Sequence, residues 1–299
     1  MHLKPSIRNN LLAIFCCLLW ATPFAFVKIT LEYQPPLTVA GLRFLIAGLI
    51  QIPFCKTPLS PFRLLRTEFR TVLLVSLFQT ILLYAGFFIA LNMVRGAQAA
   101  IVIGTGPLIA AVTAHFTMHN DRLTRRTIQS LLFGFSGIVV VSLAAKPWEP
   151  LGLREFCGIL ILLGSSIVSV AGNIVVAKKR GSLSAWELNS IQMMLGGTVL
   201  MLCALFFEGV PALNQPPRFY GALLWLAFVS AAAFGIWFHL LSRVKVSQLN
   251  IWKFLIPLVG AALSWLLIPG EHPDLLTLGG MVLIVLGIIH GQRATQKKV

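Results

Sequence analysis

Ten long apolar runs occupy almost the whole chain. They lie near residues 10–30, 36–55, 71–93, 96–116, 127–145, 153–177, 186–208, 219–241, 247–269 and 275–291. Roughly 20 helical residues cross a hydrocarbon core about 30 Å thick, so each run is long enough to span a bilayer. The runs are continuously apolar rather than alternating, and lipid requires an internally satisfied backbone, which favours helices over strands. The sequence therefore predicts an all-α polytopic membrane protein with ten transmembrane helices.

Charged residues gather between these runs and indicate a topology. Only 11% of the 299 residues are Asp, Glu, Lys or Arg, and the net charge is +15. With a cytoplasmic N-terminus, 17 of the 24 basic residues fall on the cytoplasmic side, as the positive-inside rule requires. We therefore expect a multi-pass protein of the cell (cytoplasmic or inner) membrane with both termini cytoplasmic and no nucleic-acid partner. The first run is longer than a secretory signal and lacks an Ala-x-Ala-like cleavage site, so we expect it to be retained.

The chain resembles itself at an offset of 150 residues. From Leu73 to Ile138 the register holds without gaps, and 14 of 66 positions are identical. The matched pairs include Gln98 with Gln248, Pro107 with Pro257 and Gly137 with Gly287. Residues 1–146 and 151–299 would each form a repeat of five spans, and an odd number makes the second copy enter the membrane from the opposite side. We therefore expect two inverted repeats, joined at residues 146–150, with a substrate site between them near the midplane.

Short motifs occur in the first and second spans and in the turns before the closing helix of each repeat. They are Trp20-Ala21-Thr22-Pro23 followed by Lys28, Leu42-Arg43-Phe44, Asp121-Arg122-Leu123-Thr124 and Gly270-Glu271. In this order they resemble the motifs of the drug/metabolite transporter superfamily, specifically its ten-span EamA-like members. Asp121 in place of Glu, and Lys253 in a normally uncharged ninth span, depart from the family pattern. The resemblance implies export or exchange of small molecules through a cavity formed by spans one to four and six to nine.

Two basic residues lie inside predicted spans. Arg43 is about seven residues into the second span, and Lys253 is similarly placed in the ninth. A charge within lipid costs about 2.5 kcal/mol or more, so both side chains should face a polar interior. Both are candidates for binding an anionic group of a substrate. The alternatives are a structural role for Arg43 and snorkelling of Lys253 to the membrane interface.

Other candidate site residues are aromatic or polar groups within the spans. Aromatic rings expected toward the middle of spans one, three and eight, lining a pocket or packing in the core, are Trp20, Tyr84, Trp237 and His239. Polar side chains that would contact a ligand or bridge helices are Gln79, Gln98, Thr105 and Asn173. Pro107 and Pro257 interrupt repeat-related spans, and we expect them to form hinges or kinks that line a cavity.

The pattern predicts a secondary transporter and not an enzyme. No Asp or Glu lies deep within a predicted span, so a carboxylate proton relay has no visible carrier. His239 is a candidate substitute because its pKa suits a proton switch, and the alternative is a structural role. The sequence has no phosphate-binding loop and no clustered motif of a metal-dependent or serine enzyme, so we expect no cofactor and no metal. The expected substrate is a small metabolite such as an amino acid, nucleobase or drug-like compound, exported or exchanged by alternating access. A flippase for a lipid-linked intermediate, a membrane enzyme acting on lipid, and a homodimeric assembly remain open.

Overall fold

The computed structural model describes residues 5–91, 93–94, 96–144, 152–179, 182–212, 214–267 and 275–296. These residues form helices and short connections, and no strand occurs among them. The α-helices, in chain order, are α1 Pro5–Ala21, α2 Pro23–Leu31, α3 Pro36–Ile50, α4 Ser60–Thr67, α5 Phe69–Ser76, α6 Leu82–Leu91, α7 Gly96–Gly104, α8 Gly106–Thr117, α9 Arg125–Ala144, α10 Leu153–Lys178, α11 Ala185–Phe207, α12 Pro217–Leu241, α13 Val246–Ile251, α14 Leu255–Leu267 and α15 Leu275–Gln296. Two 3₁₀ segments, Ile52–Phe54 and Trp252–Phe254, and one π-helical segment, Leu77–Ile81, lie between them.

Nine segments of the described chain are long and apolar enough to cross a bilayer. They are Ile7–Leu31, Pro36–Phe54, Phe69–Ala90, Ala99–Thr117, Arg125–Leu143, Leu153–Lys178, Ala185–Phe207, Pro217–Leu241 and Leu275–Gln292. They match nine of the ten predicted runs to within a few residues, and the run predicted at 247–269 is divided among α13, a 3₁₀ segment and α14. The prediction of an all-α polytopic membrane protein is confirmed. The predicted junction at 146–150 and the Gly270-Glu271 turn lie outside the described residues.

The chain forms two compact units, and each unit draws on both halves of the sequence. Unit 1 comprises Met1–Phe88 and Ala171–Arg243, and unit 2 comprises Ile89–Val170 and Val244–Val299. Two of the three unit boundaries therefore fall within α6 and α10, and the third lies between α12 and α13. The sequence repeats and the compact units are thus different divisions of the same chain.

In unit 1, α3 and α11 approach each other at backbone distance. A Cβ atom on Gly41 would lie 2.9 Å from the backbone nitrogen of Met201, and one on Gly197 would lie 2.7 Å from that of Leu45. Small residues are needed at such a crossing because any side chain would force the backbones apart. Toward the other end of α3, a Cβ atom on Gly48 would meet the carbonyl oxygen of Ser190 at 2.8 Å. The contacts occur in opposite order along the two helices, so α3 and α11 are antiparallel.

Carboxylates from distant connections cap two of the helices. In unit 1, Glu208 accepts hydrogen bonds from the backbone N–H groups of Leu37 and Thr38, each at 2.8 Å, at the start of α3. In unit 2, Asp121 accepts one from the backbone N–H of Ser247 at 3.0 Å and another from its hydroxyl, at the start of α13. A carboxylate is favoured at these positions because the first N–H groups of a helix lack partners within it and the helix dipole is positive there.

Unit 2 contains a second close glycine crossing, between α9 and α15. A Cβ atom on Gly137 would lie 2.5 Å from the carbonyl oxygen of Gly280, and one on Gly287 would lie 2.7 Å from the backbone nitrogen of Gly134. The Ser130 hydroxyl donates to the Gly287 carbonyl. These helices are also antiparallel, and the 150-residue offset relates them as it relates α3 to α11. Equivalent helices of inverted repeats run in opposite directions, and the division into two such repeats stays a prediction.

Candidate functional site

A buried arginine is the most unusual group in unit 1. Arg43, halfway along α3, is only 4% exposed. Its Nε donates to the hydroxyl oxygen of Ser230 on α12 at 2.7 Å, and that hydroxyl donates to the Leu226 carbonyl at 2.9 Å. The guanidinium carbon lies 5.3 Å from the ring centre of Phe44 and 5.5 Å from that of Tyr84. The predicted inward orientation of Arg43 is therefore confirmed.

The Arg43 guanidinium has no balancing anion within the described part of the protein. No carboxylate among those residues lies at ion-pair distance from it, and its two Nη atoms donate to none of their groups. A guanidinium carries five N–H donors in a planar fork that matches the two oxygens of a carboxylate. The side chain is thus held by its Nε and by aromatic faces, while the fork is left for another partner.

An aromatic cluster lies one helical turn from this charge. Phe234 follows Ser230 by four residues on α12, so the two side chains share a face of the helix. The Trp20 ring lies 5.3 Å from that of Phe234 and 4.9 Å from that of Trp237, both in edge-on geometry. Trp20 and Trp237, two of the predicted site residues, are thereby brought together. This part of unit 1 therefore combines the positive charge of Arg43 with a neighbouring cluster of broad apolar rings.

Gln79 and Asn173 form a second buried polar contact in unit 1. The Gln79 amide nitrogen donates to the Asn173 side-chain oxygen at 2.9 Å, and both residues are buried. Gln79 lies in the π-helical segment Leu77–Ile81, and π-turns inside helices are frequent at functional sites. Among the described residues, no group accepts a hydrogen bond from the Asn173 amide nitrogen. The predicted pair therefore bridges α10 and the π segment, and leaves the N–H donors of Asn173 without an acceptor in this part of the chain.

A buried chain of hydrogen bonds in unit 1 was not predicted. Thr80 donates to the side-chain oxygen of Gln192 at 2.7 Å, Gln192 donates to that of Asn189 at 2.8 Å, and Asn189 donates to that of Gln51 at 2.9 Å. Thr80 lies 150 positions before Ser230, so the repeat-related hydroxyls both bond to side chains of a neighbouring span. The sequence contained a signal for this chain of hydrogen bonds. Asn189 and Gln192 are amides three residues apart in an apolar run, so they lie on one face of a helix.

The candidate residues of unit 2 are placed mainly at helix breaks. Thr105 separates α7 from α8, and its hydroxyl donates to the carbonyl of Val102 in its own chain segment at 2.6 Å. Pro107 lies in the first turn of α8, and Pro257 lies in the first turn of α14, directly after a 3₁₀ segment. Both prolines thus begin the second half of a broken span, and their role as hinges stays a prediction. Gln98 lies on α7, and its side chain is outside the described part of the structure.

Two further candidates lie away from the aromatic cluster or in the other unit. The expectation that His239 lies toward the middle of its span is wrong, because this half-buried residue is in the last turn of α12. The apolar run continues to Leu241, and its length concealed how close His239 is to the helix end. Lys253 is half-buried in the 3₁₀ segment of unit 2, and its role stays a prediction. Across the described ranges, no group of three or more His, Cys, Asp or Glu side chains could hold a metal ion.

Comparison with known proteins places the chain in a family. The sequence profile of the EamA-like transporter family matches residues 8–143 and 156–290. The uncharacterized transporter YvbV of Bacillus subtilis is 27% identical over 96% of this chain and 92% of its own length. The "probable amino-acid metabolite efflux pump" of Salmonella typhimurium is 27% identical over 95% of this chain and 94% of its own.

Two other similarities extend this result. The S-adenosylmethionine/S-adenosylhomocysteine transporter of Chlamydia trachomatis is 25% identical over 94% of this chain and 89% of its own. A solved crystal structure that is 19% identical superposes with a TM-score of 0.83 over 97% of this chain and 98% of its own, which shows a shared fold. The profile match covers most of both sequence halves, and this chain belongs to the EamA-like transporter family.

Proposed function

We propose that this membrane transporter moves a small metabolite that carries a carboxylate, and that Arg43 binds this group. The observation that carries the proposal is the buried guanidinium whose Nη atoms lack a partner among the described residues. The set of candidate ligands for such a charge is small, because the fork geometry favours planar anions with two oxygens. An amino acid or a related metabolite fits this requirement.

The Arg43 charge lies within a membrane-spanning helix, where it is energetically unfavourable. An arginine at the centre of a spanning helix costs about 2.5–3.5 kcal/mol on insertion scales. One hydrogen bond to Ser230 and two aromatic faces offset part of this cost without neutralising the charge. A substrate carboxylate would neutralise it, so the substrate-bound state gains an interaction that the empty state lacks.

The rings near Arg43 define the rest of the substrate. Tyr84 adds a phenol ring to the guanidinium, and the cluster of Trp20 and Phe234 lies one turn away along α12. Aromatic faces favour apolar or flat groups. The named substrates of two relatives agree with this combination, because S-adenosylmethionine and amino acids carry a carboxylate and S-adenosylmethionine also carries a flat purine.

Alternating access between inverted repeats is the transport mechanism that we propose. It is supported by the antiparallel packing of repeat-related helices within each unit, α3 with α11 and α9 with α15. Export across the cytoplasmic membrane, with both termini inside, is supported by the charge distribution and by the efflux-pump names of relatives from Salmonella typhimurium and Escherichia coli. The flippase and lipid-enzyme alternatives draw no support from these relatives.

The experiment is a flux assay in vesicles that contain the purified protein. Vesicles are loaded with a panel of amino acids, nucleobases and other metabolites, and release is followed by mass spectrometry against protein-free vesicles. We expect protein-dependent flux of carboxylate-bearing compounds, which Arg43→Gln abolishes. The matched control is Arg218→Gln, because Arg218 is an exposed arginine of the same unit that contacts Glu32 only at 3.8 Å. Flux limited to uncharged compounds, or equal flux in both variants, would contradict the proposal.

A further inference from the structure

The connection between the second and third spans contains a short helix that the sequence did not predict. Residues 55–68 join the spans Pro36–Phe54 and Phe69–Ala90, and α4 occupies most of this connection. Because both neighbours cross the membrane and the connection is short, α4 must lie at a membrane surface. Pro61 and Leu64 are buried and turn one face of α4 toward the protein, where it packs on α11.

The exposed side chains on and next to α4 are apolar and basic. Phe62 on α4 is 40% exposed, Leu59 just before the helix is 69% exposed, and Phe69 at the start of α5 is 55% exposed. Arg63 and Arg66, which are one turn apart, are exposed beside them. A helix with apolar side chains next to a basic row is typical of segments that lie in the interface between headgroups and acyl chains.

The basic residues here have no acidic partner within the described structure. Lys56, Arg63, Arg66 and Arg70 are all exposed, and none of them forms an ion pair with a described carboxylate. The one acidic residue of the connection, Glu68, is already engaged.

Glu68 is held by two other groups of unit 1. Its Oε2 accepts hydrogen bonds from Lys179 Nζ and from the Thr71 hydroxyl, each at 2.8 Å. These bonds, above all the one from Lys179, hold the pKa of the Glu68 carboxyl below its ordinary value. The carboxylate therefore stays charged but is directed to Lys179, which leaves the three cations of the connection, and Arg70 at the start of α5, for an external anion.

We propose that this surface binds the headgroups of anionic phospholipids. We name it the α4 surface and define it by Lys56, Arg63, Arg66 and Arg70 with the apolar side chains Phe62 and Phe69. The basic row contacts the lipid phosphates, while the two rings enter the acyl boundary. Basic clusters beside a spanning helix are attracted to anionic leaflets, and two apolar rings among them favour a lipid over a soluble anion.

The test measures binding of a fluorescent short-chain phosphatidylglycerol to the full-length protein in a neutral detergent, by fluorescence anisotropy. One basic side chain near an anionic surface contributes roughly a factor of five, so the triple variant R63Q/R66Q/R70Q should bind the lipid at least about fivefold more weakly. The matched control R63K/R66K/R70K keeps the charges and should stay within about threefold of the unmodified protein.

Two further arms separate the outcomes. A phosphatidylcholine probe with the same chains should bind weakly, and millimolar inorganic phosphate should not displace phosphatidylglycerol. Salt near 1 M, which shortens the screening length to about 3 Å, should weaken binding by the unmodified protein even if the triple variant fails to fold. Equal binding of the two lipids, displacement by phosphate, or affinity independent of salt and of the three arginines would overturn the proposal.

Discussion

Replacing Arg43 with methionine separates a transport role from a structural one. The substitution removes the charge and keeps an unbranched apolar side chain in the same place. Ser230 is not orphaned by the change, because its hydroxyl still donates to the Leu226 carbonyl at 2.9 Å. We therefore expect Arg43→Met to fold and to insert normally while losing transport.

The contacts of Arg43 give the expected magnitude. The variant loses one hydrogen bond to a charged group, about 1.5–3 kcal/mol, and the contact with two aromatic faces, about 1–2 kcal/mol. It regains the cost of an arginine within a spanning helix, about 2.5–3.5 kcal/mol. At mid-range values these quantities differ by less than about 1 kcal/mol, and at the extremes of the ranges the variant loses about 2.5 kcal/mol of stability. The lost carboxylate contact should lower transport by about 100-fold, because two charge-assisted bonds contribute about 3 kcal/mol together.

The assay compares abundance, thermal unfolding midpoint and vesicle flux for the unmodified protein, Arg43→Met and Arg218→Gln. The last variant removes an exposed arginine and should match the unmodified protein in all three measurements. If Arg43→Met lowers abundance and flux in the same proportion, or shifts the unfolding midpoint as far as the deletion of a core side chain would, Arg43 is a structural residue and the substrate argument fails.

Three other predictions concern groups at the membrane edges. The pKa of Glu68 is lowered in the folded protein, so its bond to Lys179 stabilises the fold at pH values above the ordinary glutamate pKa of 4.5. This contribution is lost when the pH falls below that value. In Glu68→Gln, the thermal unfolding midpoint should therefore fall less steeply as the pH is lowered. Burial, and secondarily the charge of Glu187, raises the pKa of Cys55 to about 11 from 9.0. At pH 8 a variant with Cys55 as its only cysteine should therefore react with iodoacetamide at least about tenfold more slowly than free cysteine, because the smaller thiolate fraction outweighs the higher nucleophilicity of that thiolate. An equal rate would show an unperturbed thiol. Glu208→Ala removes the carboxylate that caps α3 and should cost about 1–2 kcal/mol, seen as a lower unfolding midpoint; an unchanged midpoint would mean that the cap is dispensable.

The sequence predicted the spans and the inward position of Arg43 because both follow from local cost. Apolar length alone determines what can cross a bilayer, and an isolated arginine must avoid lipid. The partners of Arg43 could not be predicted in this way. Ser230 is 187 residues away, and only the packing of α12 beside α3 brings it to Nε. The capping of α3 by Glu208 could not be predicted either, because the sequence showed only an acidic residue near the end of a span and not the N–H groups that it binds.

The structure departs from the predicted helices at the π segment, at α4 and at the position of His239. The π segment at Leu77–Ile81 directs Gln79 to α10 and Thr80 to α11, and no local propensity distinguishes it from an ordinary helix. The α4 helix follows Pro58 and contains Pro61 in its first turn, and the short length of its apolar pattern in a basic connection concealed it. His239 was misplaced because the apolar run extends to the end of α12.

A coupling measurement between Arg43 and the substrate carboxylate tests the central claim most directly. Transport of one carboxylate substrate and of its carboxamide is measured in the unmodified protein and in Arg43→Gln, which gives a cycle of four rates. We predict that the amide is a poor substrate of the unmodified protein and that Arg43→Gln hardly affects it further, so the coupling is about 2–3 kcal/mol. If instead the two changes act additively, with a coupling near zero, Arg43 does not bind the carboxylate.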